Sequence, residues 1–367
     1  MGTHLVDKTA SGTIVKKVDH PYRRRPPQAF WKRTVQDAHP QDIGQWYHKK
    51  FSISGKKIAS AGSCFAQHIG HALRREGFDY VDVEPAPSFL PLSRQFEYGY
   101  RTYSARYGNI YTSRQLLQLL QRATGRFSPA ERWWEKGDGF VDPFRPEIEP
   151  EPFGSPDEVE EFRRWHLKAV VSLFEQTDVF VFTFGLTETW ASTDDGAVFP
   201  VAPGVAGGVF DPDKYKFLNL TYPDVVRDME QVFELARDIN PKMRFLLTVS
   251  PVPLVATASA DQVVVATTYS KSVLRAAAGH LSHMFDFVDY FPSYEIIAST
   301  PMRGMFFNPD MRTVASHGVD HVMKQFFSEH TPPKAPQRPT RPGTANKDPE
   351  KIACEEELLA VFGNHAR

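Results

Sequence analysis

Apolar residues in this chain gather into short dense runs, and the text between the runs carries helical spacing. Lys57-Ile58-Ala59-Ser60-Ala61, Val179-Phe180-Val181-Phe182-Thr183-Phe184 and Phe245-Leu246-Leu247-Thr248-Val249 read as buried strands, and Phe285-Asp286-Phe287-Val288-Asp289 as a fourth. Helical patterns follow them: one through His68, Ile69, Ala72 and Leu73, one over 114–122 behind an N-cap at Thr112 or Ser113, and one opened by Ser155-Pro156. Further helices are expected over 222–239, near 269–280 and over 318–327. Strands alternating with helices predict an α/β fold, a parallel sheet with helices on both faces.

Three stretches interrupt the alternation. Residues 1–50 are polar, basic and broken by proline (His20-Pro21-Tyr22-Arg23-Arg24-Arg25-Pro26-Pro27) with Phe30, Trp31 and Trp46 interleaved, and they read as an N-terminal arm. A loop-rich insertion over 125–154 holds Trp133, Trp134 and the phrase Asp142-Pro143-Phe144-Arg145-Pro146, and a β-rich excursion covers 197–210. The stretch 331–348 is rich in Pro, Lys and Arg and is expected to be disordered, ahead of a short amphipathic helix over 349–362 that docks on the body or on a partner. The organisation predicted is an arm (1–50), one α/β domain (51–330) and a flexible tail (331–367).

Composition narrows the function. Lys and Arg number 43 against 44 Asp and Glu, so no basic field points to nucleic acid. The two cysteines, Cys64 and Cys354, have no metal-ligand spacing, and a disulfide framework is not expected. No apolar run approaches a membrane span and no leader-like apolar segment opens the chain, so the expectation is a soluble, cytoplasmic protein.

The densest chemistry lies where the first strand breaks at Gly62 and a helix begins. Ser63 and Cys64 occupy that turn, beside the first N–H groups of the helix, where a thiolate is favoured. Either side chain is a candidate nucleophile. His68 lies one turn along the same helix as a candidate base. The pairs His68/His71 and His317/His321 lack an accompanying carboxylate motif, and no metal site is expected. Asp194-Asp195-Gly196 reads as a hairpin turn; Ser270-Lys271 has the form of a Ser–Lys dyad, with a serine near a cap and a solvated lysine as the default reading. Trp133, Trp134, Trp190 and Tyr111 are able to stack on sugar rings, with core packing as the default.

Gly62-Ser63-Cys64-Phe65-Ala66 resembles the signature of the GSCFA domain family, as do Gly108-Asn109-Ile110-Tyr111-Thr112, Thr183-Phe184-Gly185-Leu186-Thr187-Glu188-Thr189-Trp190, Thr248-Val249-Ser250-Pro251-Val252 and Tyr269-Ser270-Lys271. The resemblance covers residues 58–327. That family is similar to SGNH hydrolases, which implies a flavodoxin-like sheet and acyl-ester chemistry on carbohydrates. Carried over position by position, it implies Cys64 (or, with a one-residue slip, Ser63) as nucleophile. It implies Gly108, Asn109 and Thr187 as oxyanion donors, with Gly62, Gly185 and Glu188 in the surrounding blocks. Where SGNH enzymes place Asp-x-x-His, this chain reads Asp310-Met311-Arg312-Thr313, so the base falls to His68 or to a downstream substitute, His317 or His321. The expected function is acyl transfer to a carbohydrate or polyol, with no required cofactor and acyl-CoA as a possible donor. A plain esterase and a non-catalytic binding protein that lost its base are the alternatives.

Overall fold

In the computed structural model, which describes residues 6–8, 14–16, 20–333 and 355–363, the apolar runs pair as a parallel sheet. Strand β1 (Ile58–Gly62) leads into helix α1 (Cys64–Arg75). After an irregular stretch comes α2 (Ser113–Ala123), started by a Thr112–Gln115 capping box. The insertion forms a small hairpin, β2 (Trp134–Lys136) and β3 (Gly139–Val141), before α3 (Pro156–Gln176) and β4 (Val179–Phe184). Next come β5 (Glu188–Ser192), β6 (Val198–Phe199), β7 (Tyr215–Asn219), α4 (Tyr222–Ile239) and β8 (Arg244–Val249). Helix α5 (Val263–Met284), β9 (Val288–Tyr290), α6 (Ser293–Ala298) and α7 (Ser316–Glu329) complete the body. A terminal 3-10 turn (Glu355–Leu359) runs into α8 (Ala360–Gly363).

The main sheet has the order β9-β8-β4-β1, all parallel, with Ala59 opposite Phe180 and Phe180 opposite Phe245. Every second residue (Ala59, Ala61, Phe180, Phe182, Phe184, Phe245, Leu247 and Val249) faces a core shared with Leu116, Leu173, Val225, Met229 and Leu274 of α2 to α5. Helix α1 packs on β1 and α7, and α6 packs on β8 and α7, so helices flank the sheet as the patterning predicts. Beyond the carboxyl end of β4 the chain makes a separate antiparallel sheet in the order β6-β5-β7.

Several elements differ from their expected bounds: α7 runs two residues beyond 318–327 at each end, and of the β-rich excursion expected over 197–210 only Val198–Phe199 is strand, its partners being Glu188–Ser192 and Tyr215–Asn219. Helix α5 is longer than 269–280 and reaches Met284. The N–H of Phe285 still bonds to Leu281 O, so the fourth strand starts only at Val288 rather than at Phe285. The chain divides into two compact units, Met1–Trp46 and Tyr47–Arg367. The first contains an antiparallel pair, Val6–Lys8 with Ile14–Lys16, and short helical turns at Pro27–Ala29, Lys32–Gln36 and Pro40–Asp42. Of the stretch expected to be disordered, 331–348, residues 334–348 lie outside the described residues, as do 349–354 of the expected terminal helix. Among the described residues no helix is long and apolar enough to cross a membrane, and no group of three His, Cys, Asp or Glu side chains is arranged to hold a metal.

Candidate active site

The turn between β1 and α1 is built on contacts that fix it sharply. Gly62 has φ +144°, and a Cβ there would lie 2.4 Å from the Thr183 carbonyl oxygen, so only glycine lets β1 end against β4. Ser63 N–H then donates to Thr183 O at 3.2 Å, and Ile110 N–H to Gly62 O at 2.9 Å. Gly185 and Leu186 N–H groups both donate to Tyr111 O, which locks the loop after Gly108 (φ +69°) between the ends of β1 and β4. Gly185 is required as well: its Cβ would stand 2.8 Å from Ser63 Cβ.

Ser63 is the N-cap of α1 and Cys64 its first helical residue. A capping serine normally accepts a hydrogen bond from its helix. Ser63 makes no such bond, and its buried Oγ has no hydrogen-bond partner among the described residues. Both side chains line a small chamber with Tyr111, Gly185, Lys271 and Glu356, and only about 10 Å³ of it is free.

Lys271 corrects the sequence reading. It is 2 % exposed, not solvated, because it lies on the buried face of α5 with Ser270 and Leu274 and reaches Gly185, the residue after β4. Its Nζ donates to Gly185 O at 2.5 Å. Burial pushes its pKa well below the usual lysine range, while the negative charge of Glu356 and of a Cys64 thiolate pull the other way. Its neighbour Ser270 accepts from Thr187 N–H at 2.9 Å, a bond that ties α5 to the loop after β4.

Glu356 comes from the terminal turn, far along the chain. Its Oε1 accepts from Val255 N–H at 3.0 Å, its Oε2 lies 3.4 Å from Arg312 Nη2, and its own N–H donates to Tyr111 Oη at 3.3 Å. Burial pushes its carboxyl up, against the pull of Arg312 and Lys271.

The other candidates are dispersed. Asn109 is buried, but its Oδ1 accepts from Tyr103 Oη and from Gln67 Nε2, and it does not line the chamber. Thr187 directs its hydroxyl to Asn219 Oδ1 at 2.6 Å. Glu188 accepts from Thr257 Oγ1 and Ala258 N–H. His68 packs edge-on to Phe65, with centroids 5.6 Å apart, and is not among the chamber residues. Burial, with His71 nearby, lowers its pKa to about 4, which makes it a weak base. Asp310 is exposed and accepts from Thr313 Oγ1 at 2.7 Å, while His317 bonds Met305 O and His321 stacks on Phe306. Of the fifth block, only Arg312 reaches the edge of the site, through Glu356.

Cys64 and Ser63 thus meet Lys271 and Glu356, neither of which stood among the candidate site residues. The one signal for Lys271 was its place in the phrase Tyr269-Ser270-Lys271; nothing in the pattern of the tail singled out Glu356.

The GSCFA family model matches residues 57–326. The chain belongs to the GSCFA family. The match takes in the β1–α1 turn, Lys271 and Arg312, and leaves out Glu356. No curated protein matches this GSCFA chain in sequence. Among solved structures it is similar to a carbohydrate acetylesterase family member from Sinorhizobium meliloti, at 13 % identity over 74 % of this chain and 95 % of the other, with a TM-score of 0.29. It is similar also to a Clostridium thermocellum family 3 carbohydrate esterase, at 11 % identity over 74 % and 94 % of the two chains, with a TM-score of 0.25.

Proposed function

We propose that this GSCFA protein is an acyl-transfer enzyme that works through a thioester on Cys64, with Lys271 as the acid and base. The observation that carries this reading is the pairing of a cysteine at the first position of α1 with a buried, cationic lysine in one chamber. A helix N-terminus and a nearby ammonium both favour the thiolate, the reactive form of cysteine. Ser63 is the weaker nucleophile candidate, since among the described residues its hydroxyl has no hydrogen-bonded base. Its unpaired O–H fits better as a donor to the oxyanion.

In the first step the Cys64 thiolate adds to the acyl carbonyl of an ester or thioester donor such as acyl-CoA. The tetrahedral oxyanion collapses, the bond to the leaving alcohol or thiol breaks, and the Lys271 ammonium gives that group its proton. In the second step the Lys271 amine takes the proton of an incoming hydroxyl on a carbohydrate or polyol. The oxygen attacks the thioester, and the Cys64 thiolate departs. Water in place of the acceptor makes the same machinery an esterase.

The test is intact-protein mass spectrometry after incubation with acetyl-CoA or an activated ester, with and without a polyol acceptor. Wild type should carry one acyl group that Cys64→Ala lacks and that the acceptor discharges. An adduct that survives in Cys64→Ala and disappears in Ser63→Ala would move the nucleophile to Ser63. Folded protein with neither adduct nor turnover would leave a binding protein.

A further inference from the structure

Beside the thiol chamber lies a cleft of about 450 Å³, and Leu186, Leu254 and Glu356 line both spaces. The small antiparallel sheet supplies an aromatic wall. Trp190 of β5 sits directly opposite Phe217 of β7, with ring centroids 5.7 Å apart, and Phe210 meets Trp190 edge-on at 5.1 Å. The terminal 3-10 turn adds Leu359, and α8 adds Phe362. The polar groups at the cleft already bind one another or the backbone. Glu188 takes Thr257 Oγ1 at 2.6 Å and Ala258 N–H at 3.2 Å, and Thr189 Oγ1 donates to Phe199 O at 3.0 Å. A sugar placed there would lose hydrogen bonds to water and find few replacements, whereas a hydrocarbon chain needs none. Phe210 is 44 % exposed and Phe362 61 %, so the cleft leaves aromatic surface in water that a chain would cover.

We propose that this cleft holds the hydrocarbon tail of the acyl group, a medium-length fatty acyl chain, with the carbonyl meeting Cys64 where the two spaces adjoin. The assignment rests on acyl transfer at Cys64. A volume of this size is that of a small-ligand pocket, well beyond the needs of an acetyl methyl. Each methylene moved from water into it should raise the specificity constant about fourfold until the cleft is full.

The test compares acylation of the full chain by p-nitrophenyl acetate, butyrate and octanoate. It is repeated with Ala256→Trp and with Ala258→Trp, two exposed positions on the cleft where added bulk shortens it without entering the core. Wild type should prefer butyrate to acetate by roughly tenfold or more in kcat/KM and octanoate to acetate by roughly a thousandfold, and the preference should collapse toward one in both variants. Equal rates for the three esters in wild type, or a preference untouched by either variant, would overturn the acyl-chain assignment and leave acyl transfer standing. If no ester acylates Cys64, acyl transfer itself fails, and calorimetric titration with octanoate then judges the cleft. Heat in wild type that both variants lose would uphold a hydrocarbon site, and no heat in wild type would remove it.

Discussion

Two buried charge clusters in this molecule are finished in opposite ways. In the insertion, Asp142 is 1 % exposed and bonds Arg145 at 3.0 Å and Arg163 at 2.9 Å, and it also accepts from Phe144 N–H at 3.1 Å. Arg145 goes on to donate to Arg106 O, and Arg122 covers the Phe144 ring at 3.8 Å. Burial alone would raise the Asp142 carboxyl; three arginines outweigh it and hold it well below the usual carboxylate range. In the thiol chamber, among the described residues, Ser63 Oγ is unpaired, and Lys271 donates to one backbone carbonyl and faces groups that titrate. A satisfied cluster fixes the insertion; a partly satisfied one beside an open cleft is poised to meet a substrate.

The sharpest way to separate the two is to delete one member from each. Cys64→Ala should abolish the acyl adduct in mass spectrometry while shifting the urea midpoint little. Asp142→Ala should do the reverse. It leaves buried arginines uncompensated and should cost about 3–5 kcal/mol in urea unfolding, with adduct still forming on the folded fraction. A smaller loss belongs to Ser63→Ala: removal of one oxyanion donor should slow acylation about 100-fold or more in stopped-flow kinetics, with the stoichiometry at Cys64 unchanged. If Ser63→Ala acylates at the wild-type rate, the unpaired hydroxyl has no part in the chemistry.

Acid sharpens the contrast further. The Asp142 carboxyl is depressed in the folded state, so its stabilisation is complete above the ordinary value of 3.8 and is lost as pH falls below it toward the folded value. Wild-type stability should therefore fall steeply below pH 3.8, and Asp142→Asn should flatten that limb. The smallest effect is expected at Glu356, whose carboxylate competes with the Cys64 thiolate for Lys271. Glu356→Gln should speed alkylation of Cys64 by iodoacetamide severalfold; a slower rate would mean that Glu356 supports the thiolate instead.

The parts of this fold set by local pattern were legible in the chain, and those made by docking were not. Alternation and density of apolar residues marked β1, β4 and β8, and the break at Gly62 placed Ser63 and Cys64 at the helix start. Lys271 read as solvated because the helix was expected to begin near 269, which put the lysine beside its cap; α5 in fact starts at Val263, and Lys271 falls on its buried face with Ser270 and Leu274. Thr187 and Asn109 looked like oxyanion donors from their motifs. The Thr187 hydroxyl donates to Asn219, the Asn109 oxygen accepts from Tyr103 and Gln67, and neither residue lines the chamber; no motif named these partners. The terminal helix was expected from its amphipathic spacing, but the entry of Glu356 into the site depends on a contact across more than 80 residues, with Lys271.

The central claim, that Lys271 holds Cys64 as a reactive thiolate, is tested most directly by titrating the ultraviolet thiolate absorbance of Cys64. The titration is run in a Cys354→Ser background, with and without Lys271→Met. A midpoint below the ordinary thiol value of about 8.5 that rises by about one unit or more when the ammonium is removed is the predicted result. Superimposable curves, or a midpoint at or above the ordinary value in both proteins, would contradict it.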